Sequence, residues 1–343
     1  MADAAPAWLS AWKGARDSAA LFDLSASLVE VTGPERLSWL NTLVSNKVDD
    51  LEPGESARAF LLNPTKGRVL ADFLVCETGE AAWLECAGDS AGVVMENLRK
   101  YYFGQEVEFE DRSGEWWIGS LQGPKAHEIL TGVVNDVPPA DEGQHETTTI
   151  GGVEIRALRW SDTGLPGYHL WVPLEAAASI RTGLEEAGAA PGHEVAWTVL
   201  QIEGGVAAYG RELTDATIPL EAPTAEAIDH RKGCYPGQEV IARLWARGRP
   251  AKELRGLVFE GEDDPPAAGT TLDAEDKSGV ATVTASGRSP ELGAVALAYV
   301  HRDYLEAGTR LVADGRAAEV ADLPLRESAE PPSEEPPPID PTR

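Results

Sequence analysis

The sequence predicts an α+β fold in which strand–helix units come first and an all-β region that reads as a small barrel follows. Three observations carry this. Two stretches run strand, Gly-Pro, helix; a hairpin is followed by an alanine-rich helix; and beyond residue 254 the pattern changes to short strands separated by Gly, Pro and Asp. At 343 residues and 43% hydrophobic, the chain exceeds what one core usually serves. The expected division is 1–150, a first α+β region; 151–250, a second; 251–325, the barrel; and 326–343, a disordered tail.

In chain order, residues 28–32 form a strand, Gly33-Pro34 breaks it, and 35–44 bring Leu37, Leu40 and Val44 to helical spacing. Residues 118–122, Gly123-Pro124 and 125–134, with Ala126, Ile129, Leu130 and Val133, run the same way. Proline is accepted in a helix's first turn because no donor is lost there. On the residues alone, an internal repeat and a chance recurrence account for the pair equally well. Residues 69–76 and 82–86 are apolar, strand-like runs. Residues 153–160 and 168–172 flank a turn-rich 161–167 as a hairpin; 173–187 reads as a helix, and 193–202 as another. In the last region, strands at 279–286 and 294–300 flank a turn at Gly287-Arg288-Ser289-Pro290. Residues 327–343 are rich in Glu, Ser and Pro, which offer too little apolar area to offset chain entropy.

Composition narrows the function. A net charge of −28, from 29 basic against 57 acidic residues, leaves no general basic face for nucleic acid. Cys76, Cys86 and Cys234 are odd in number and widely spaced, which argues against disulfides and fits a reducing compartment. The first residues hold no long apolar run, so neither a signal peptide nor a membrane span is expected, and the setting is read as cytoplasmic. Without a Cys-x-x-Cys pair or histidines at helical pair spacing, no metal site is expected.

Residues 232–239 read Lys-Gly-Cys-Tyr-Pro-Gly-Gln-Glu. A buried segment would be apolar and periodic; here polar groups sit between glycines, which suits an exposed loop. Arg231 and Lys232 precede Cys234, and neighbouring cations favour a thiolate, so Cys234 and Lys232 are the candidate catalytic pair. Gly233, Tyr235, Gly237, Gln238, Glu239 and, further on, Arg243 complete the motif. Cys76 and Cys86 read as inert packing. Glu203 ends the apolar run of Val199, Leu200 and Ile202 and enters Gly204-Gly205, which places a carboxylate where backbone can open to a cavity.

The octapeptide, continued by Val240, Ile241, Ala242 and Arg243, resembles the signature of the YgfZ group, folate-binding proteins of the aminomethyltransferase (glycine cleavage T-protein) superfamily. Leu21-Phe22-Asp23-Leu24-Ser25, Leu61-Leu62-Asn63-Pro64 with Lys66-Gly67-Arg68, and Glu203-Gly204-Gly205 with Tyr209-Gly210-Arg211-Glu212-Leu213 resemble family segments in the family's order. The resemblance implies repeated ferredoxin-like strand–helix units around a central folate cavity, and tetrahydrofolate or a one-carbon derivative as cofactor. It also implies a role in iron–sulfur cluster assembly or repair, with client or assembly proteins as partners. A folate-dependent aminomethyltransferase or demethylase is one alternative; a non-catalytic interaction protein on the same fold is the other. The resemblance further implies that Glu203 holds the pterin end, with Tyr168, Asn63, Asp72 and Arg231 also on the folate side.

Two departures from the family qualify this. His169 follows Tyr168 where the aminomethyltransferases commonly carry an acid. Where they commonly carry two successive aspartates, one of which approaches the reacting folate nitrogen, this chain reads Ala71-Asp72, and by alignment the missing acid is the first. Alternation puts Asp72 with Leu70 and Leu74, opposite Ala71, so it is not expected to substitute without a register change. Folate binding is therefore expected to persist and transfer to be absent or marginal.

Overall fold

The computed structural model describes residues 6–326 except position 262. The chain builds three sheets. In the first, strands run in the order Ser56–Leu62, Val69–Glu77, Ala81–Ala87, Ala26–Thr32 and Glu108–Asp111, all antiparallel. Because side chains alternate along a strand, one face (Val29, Ala59, Ala71, Phe73, Val75, Leu84) packs on the helices Arg36–Asn41 and Ala91–Lys100. The other face gives Leu28, Leu74 and Cys76 to a cluster shared with Ile118, Leu158 and Trp171 of the second sheet.

That second sheet has the order Ala190–Pro191, Ala20–Asp23, Trp116–Gln122, Gly167–Pro173, Val153–Arg159 and His145–Ile150. Its outer face, including Leu121, Ile155, Tyr168 and Leu170, packs against Ala126–Thr131 and Ala177–Glu186. Two sheets thus face each other with their helices outside. They are joined where Ser56 N donates to Gly143 O and His145 N to Gly54 O, both at 2.8 Å.

Both strand, Gly-Pro, helix successions form, and in each sheet the strand before Gly-Pro lies beside the third strand of the meander that follows it. The glycines are required by space as well as by conformation. Gly33 has φ +99° and a Cβ there would lie 2.2 Å from Glu106 O; at Gly123, φ +145°, it would lie 2.3 Å from Ser18 O.

The third sheet runs Thr271–Leu272, Ala281–Ser289, Gly293–His301, Lys252–Phe259, Arg316–Ala321 and Arg310–Ala313. Asp273 and Val312 exchange backbone hydrogen bonds of 2.9 and 2.8 Å across the remaining gap, which nearly closes the sheet on itself around Leu257, Val283, Ala296, Leu311 and Val320. Between this barrel and the two facing sheets lies the apolar helix Glu194–Gly204, started by His193, whose Nδ1 accepts from Val195 N, and stopped by Gly205 at φ 67°. It packs on Ala281–Ser289 and on Ala7–Asp17, a helix the sequence reading did not anticipate, through Ala11, Trp12 and Ala15. Among the described residues no helix is long and apolar enough to cross a membrane.

Several expectations change. The division at 150 falls in the tight turn of the hairpin His145–Ile150/Val153–Arg159, whose two strands pair throughout, so both sides belong to one sheet. The helix expected from 173 starts at Ala177, because Pro173 still pairs with Trp116 and a 3₁₀ turn, Leu174–Ala176, intervenes. The turn expected at 287–290 comes later: Gly287 and Arg288 pair with Val295 and Ala294, and Ser289 Oγ accepts from Glu291 N and Leu292 N to turn the chain. Arg326, assigned to the tail, is buried against Glu203. The rest of that expected tail, 327–343, lies outside the described residues.

Candidate functional site

A cavity of about 450 Å³ opens between the facing sheets, the Glu194–Gly204 helix and residues 206–211. The first sheet supplies Arg58, Asp72 and Glu85 from one face of three neighbouring strands. Arg58 grips Asp72 with both ends of its fork, Nε to Oδ1 at 2.9 Å and Nη2 to Oδ2 at 2.7 Å, and reaches Glu226 Oε1 with Nη1 at 2.9 Å. Burial opposes the guanidinium's charge, but Asp72 and Glu226 outweigh it and raise its pKa.

The second sheet supplies His169 and, from the turn after Val153–Arg159, Asp162. His169 Nδ1 lies 2.5 Å from Glu85 Oε1 and Nε2 lies 2.6 Å from Asp162 Oδ2. Glu85 Oε2 also accepts from Trp171 Nε1. Burial disfavours the imidazolium, yet a carboxylate at each ring nitrogen lifts the pKa well above its ordinary value. Gln201, Tyr209 and Arg211 close the far side; Arg211 Nε binds Glu212, and Tyr209 Oη donates to Leu70 O at 2.8 Å.

The position of Asp72 corrects the sequence reading. Asp72 does share a face with Leu74, as alternation requires, but that face is the cavity wall; Ala71 is fully buried among Phe73, Val75 and the outer helices. A carboxylate at 71 would stand in that apolar core. The residue that delivers an acid to the cavity is the one this chain retains.

Several predicted site residues lie elsewhere. Glu203 is 1% exposed and outside the cavity wall; its Oε1 accepts from Trp12 Nε1 at 3.0 Å and its Oε2 faces Arg326 Nη1 at 3.4 Å, and burial raises its pKa. Residues two apart on a helix point about 200° apart, so the helix that aims Gln201 into the cavity turns Glu203 away from it. Tyr168 faces the outer core, where Oη donates to Pro139 O at 2.6 Å, while its strand neighbour His169 faces the cavity. Asn63 Oδ1 accepts from Thr65 N at 3.1 Å and Lys66 N at 3.0 Å, which holds its own turn in place. Arg231 is exposed, and its N–H, like that of Lys232, binds Asp229 Oδ1.

Lys232 is not the counter-charge of the thiol. Its Nζ donates to Asn41 O, Val44 O and Asn46 O at 2.6, 2.7 and 2.6 Å, which uses all three N–H groups of the ammonium. Burial lowers its pKa to about 8. Cys234 is exposed and forms no part of the cavity wall. Cys76 and Cys86 are buried, and burial pushes both thiols up.

The motif is a loop only as far as Gly237, since Gln238 and Glu239 open the helix Gln238–Arg247, on which Arg243 is exposed. Tyr235 is buried with Phe60, Leu62 and Val69, and its N–H binds Gln238 Oε1 at 3.2 Å. Gly237, at φ +88°, leaves no room for a side chain: a Cβ would lie 2.9 Å from both Asn63 O and Leu62 Cβ. A Cβ at Gly67 would meet Val240 Cβ at 2.7 Å. Segments 61–68 and 232–243 therefore pack glycine to glycine. Arg58, Glu85, Asp162 and Gln201 were missed as site residues. The one visible signal was Glu85, a charge inside an apolar strand that only a partnered site tolerates.

The model of the GCVT N-terminal domain matches residues 2–232. The aminomethyltransferase of Rubrobacter xylanophilus is 30% identical over 83% of this chain and 77% of its own length. That of a strain of Thermus thermophilus is 32% identical over 86% of this chain and 82% of its own. A putative chloroplastic transferase of Arabidopsis thaliana is 26% identical over 89% and 70%. In fold, the chain is similar to the crystal structure of glycine cleavage system aminomethyltransferase T from Bartonella henselae, with TM-score 0.83 over 94% of this chain and 90% of that one, at 24% identity.

Proposed function

This chain belongs to the GCVT family, and we propose from that premise that it is a folate-dependent aminomethyltransferase or demethylase whose cavity takes tetrahydrofolate or a one-carbon derivative. The observation that carries the reading is Asp72 in the cavity wall, held by Arg58. The volume of about 450 Å³ suits a ligand of this class, and Trp160 and Trp197 supply aromatic surface beside the polar groups. Tetrahydrofolate supplies the amine that accepts the one-carbon unit. With that amine bound, Asp72 would accept its hydrogen bond and be placed to receive its proton, and the bidentate Arg58 guanidinium keeps the carboxylate aimed. This reading puts transfer ahead of the iron–sulfur role, and the retained Asp72 removes the objection drawn from position 71.

A second reading, iron–sulfur cluster support of the YgfZ type, rests on the intact octapeptide and the exposure of Cys234. The two are separated by experiment. Titration with tetrahydrofolate and its methylene form, followed by tryptophan fluorescence, measures binding, and turnover with a lipoyl-protein aminomethyl donor measures transfer. Asp72→Asn is expected to lower turnover about 100-fold with folate affinity within a few-fold, the size of a lost general base. Equal turnover in the variant removes Asp72 from the chemistry. Absence of turnover in the wild type, together with restored iron–sulfur enzyme activity in a host lacking its own family member, selects the second reading.

A further inference from the structure

We infer that Asp162, with Ser161 beside it, reads the hydrogen-bonding edge of the ligand, and that His169 is the residue that positions Asp162; this rests on the folate reading above. The argument starts from hydrogen bonds left open. Asp162 Oδ2 takes His169 Nε2 at 2.6 Å and Ser120 Oγ at 3.0 Å, whereas Oδ1 has no donor among the described residues. Glu85, the other acid on His169, has both oxygens engaged, one by the imidazole and one by Trp171 Nε1. Of the two carboxylates on His169, Asp162 is the one with an oxygen that takes no donor among the described residues, and it lines the cavity.

Its neighbour points the same way. Ser161 also lines the cavity, and its Oγ is buried without a hydrogen-bond partner among the described residues. A buried hydroxyl left unpaired is costly, and the Ser161 Oγ, closed off from the cavity as it stands, recovers that cost by rotating about χ1 toward a ligand atom. Across the cavity, Gln201 uses Oε1 to accept from Arg211 Nη2 at 3.2 Å, while Nε2 has no partner among the described residues. The open groups are thus an anionic acceptor, a hydroxyl and an amide donor. They complement a planar ring edge with adjacent N–H donors and a carbonyl, the 2-amino-4-oxo edge of a pterin.

His169 fixes this arrangement. Each ring nitrogen faces a carboxylate oxygen within 2.6 Å, so a neutral imidazole would set a bare lone pair against an anion. The ring therefore carries both protons and clamps Asp162 by Oδ2, which leaves Oδ1 fixed in direction. The family resemblance places an acid at 169; here a cation stands there between two acids, and the acidic edge is displaced to 162.

The test compares tetrahydrofolate with its 2-desamino analogue, titrated by tryptophan fluorescence into the full-length protein. The wild type is expected to prefer tetrahydrofolate by about tenfold or more, and Asp162→Asn to raise its Kd at least about tenfold and reduce that preference to within about threefold, because the amide offers a donor where an acceptor is needed. His169→Gln, which unclamps Asp162, is expected to erode the preference several-fold, an effect that packing loss alone does not produce. Should Asp162→Asn fail to fold, Ser161→Ala carries the test, with an expected rise in Kd of about three- to tenfold. Unchanged Kd and preference in folded variants overturn the inference and leave the folate reading standing. A wild type that binds no reduced folate overturns both.

Discussion

The cavity wall and the octapeptide surface divide the work differently from the way the sequence advertises them. The octapeptide is conspicuous because its backbone is constrained: Gly237 has no room for a Cβ, Tyr235 fills a core, and Lys232 ties the loop to three carbonyls around the end of Arg36–Asn41. The cavity wall takes single residues from distant segments, Arg58, Asp72, Glu85, Asp162 and His169, and of these only Glu85, a charge inside an apolar strand, stands out beside its neighbours in the chain. A dense polar motif marks where chain segments must approach closely. Converging charges mark the candidate ligand site.

The largest expected effect tests the structural half of this contrast. Lys232→Met leaves three carbonyls without their ammonium and is expected to cost about 3 kcal/mol in denaturant unfolding, with the m-value unchanged. A folded variant of wild-type stability that has lost activity would return the lysine to a chemical role and break the comparison.

Glu203 comes next. Glu203→Ala strips Trp12 Nε1 and Arg326 of their shared acceptor and is expected to destabilise by about 2 kcal/mol while leaving folate affinity unchanged. A weakened Kd at unchanged stability would put Glu203 in the pocket after all. The reason it was misread is helical phase: an apolar run ending in Glu-Gly-Gly shows that the helix ends there but not which side of it meets a cavity.

The same limit governs the strand Val69–Glu77. Its alternation was legible, and Asp72 and Ala71 do point opposite ways. Both faces of that strand are buried, so the sequence offers no polar side by which to tell cavity from core. The two strand, Gly-Pro, helix units, by contrast, were legible, because Gly33-Pro34 and Gly123-Pro124 act within a few residues. The contact of His169 with Glu85 joins positions 84 residues apart and has no local signature at all. The helix Gln238–Arg247 was hidden for a related reason, since Gly237 reads as loop until its left-handed turn is seen to start the helix.

Protonation sharpens the contrast inside the two-sheet body. His145, at the seam between the sheets, accepts from Arg156 Nη1 on Nδ1 at 2.8 Å and donates from Nε2 to Glu55 O at 3.2 Å, so it is neutral; burial first and Arg156 second lower its pKa to about 4. Between about 4 and 6.5 the unfolded chain binds more protons at this residue than the folded one. Stability is therefore expected to fall as pH drops through that window, by about 3 kcal/mol, and the loss from this group to end below it. His169 has the opposite sign: its raised folded pKa gives a contribution fully present below about 6.5 that is lost as pH rises through the folded value. Comparing His145→Gln with the wild type in acid-dependent melting isolates the first term, and parallel curves would mean that His145 is not the group titrating.

The smallest effect belongs to the residue that first drew notice. Cys234 is exposed, and at Gly233 beside it a Cβ would meet nothing within 4 Å. Cys234→Ser deletes no buried surface and is expected to change stability by less than about 0.5 kcal/mol, as surface substitutions do. Because the thiol is not in the cavity wall, folate affinity and aminomethyl turnover are expected to stay within error as well. What the variant does remove is the sulfur and its nucleophilic chemistry, which a serine hydroxyl does not supply. If the same folded protein binds folate and turns over normally but no longer restores iron–sulfur enzyme activity in a host lacking its own family member, the octapeptide carries a second function separate from the cavity. If turnover falls with it, the cavity and the octapeptide surface act as one site and the division drawn between them fails.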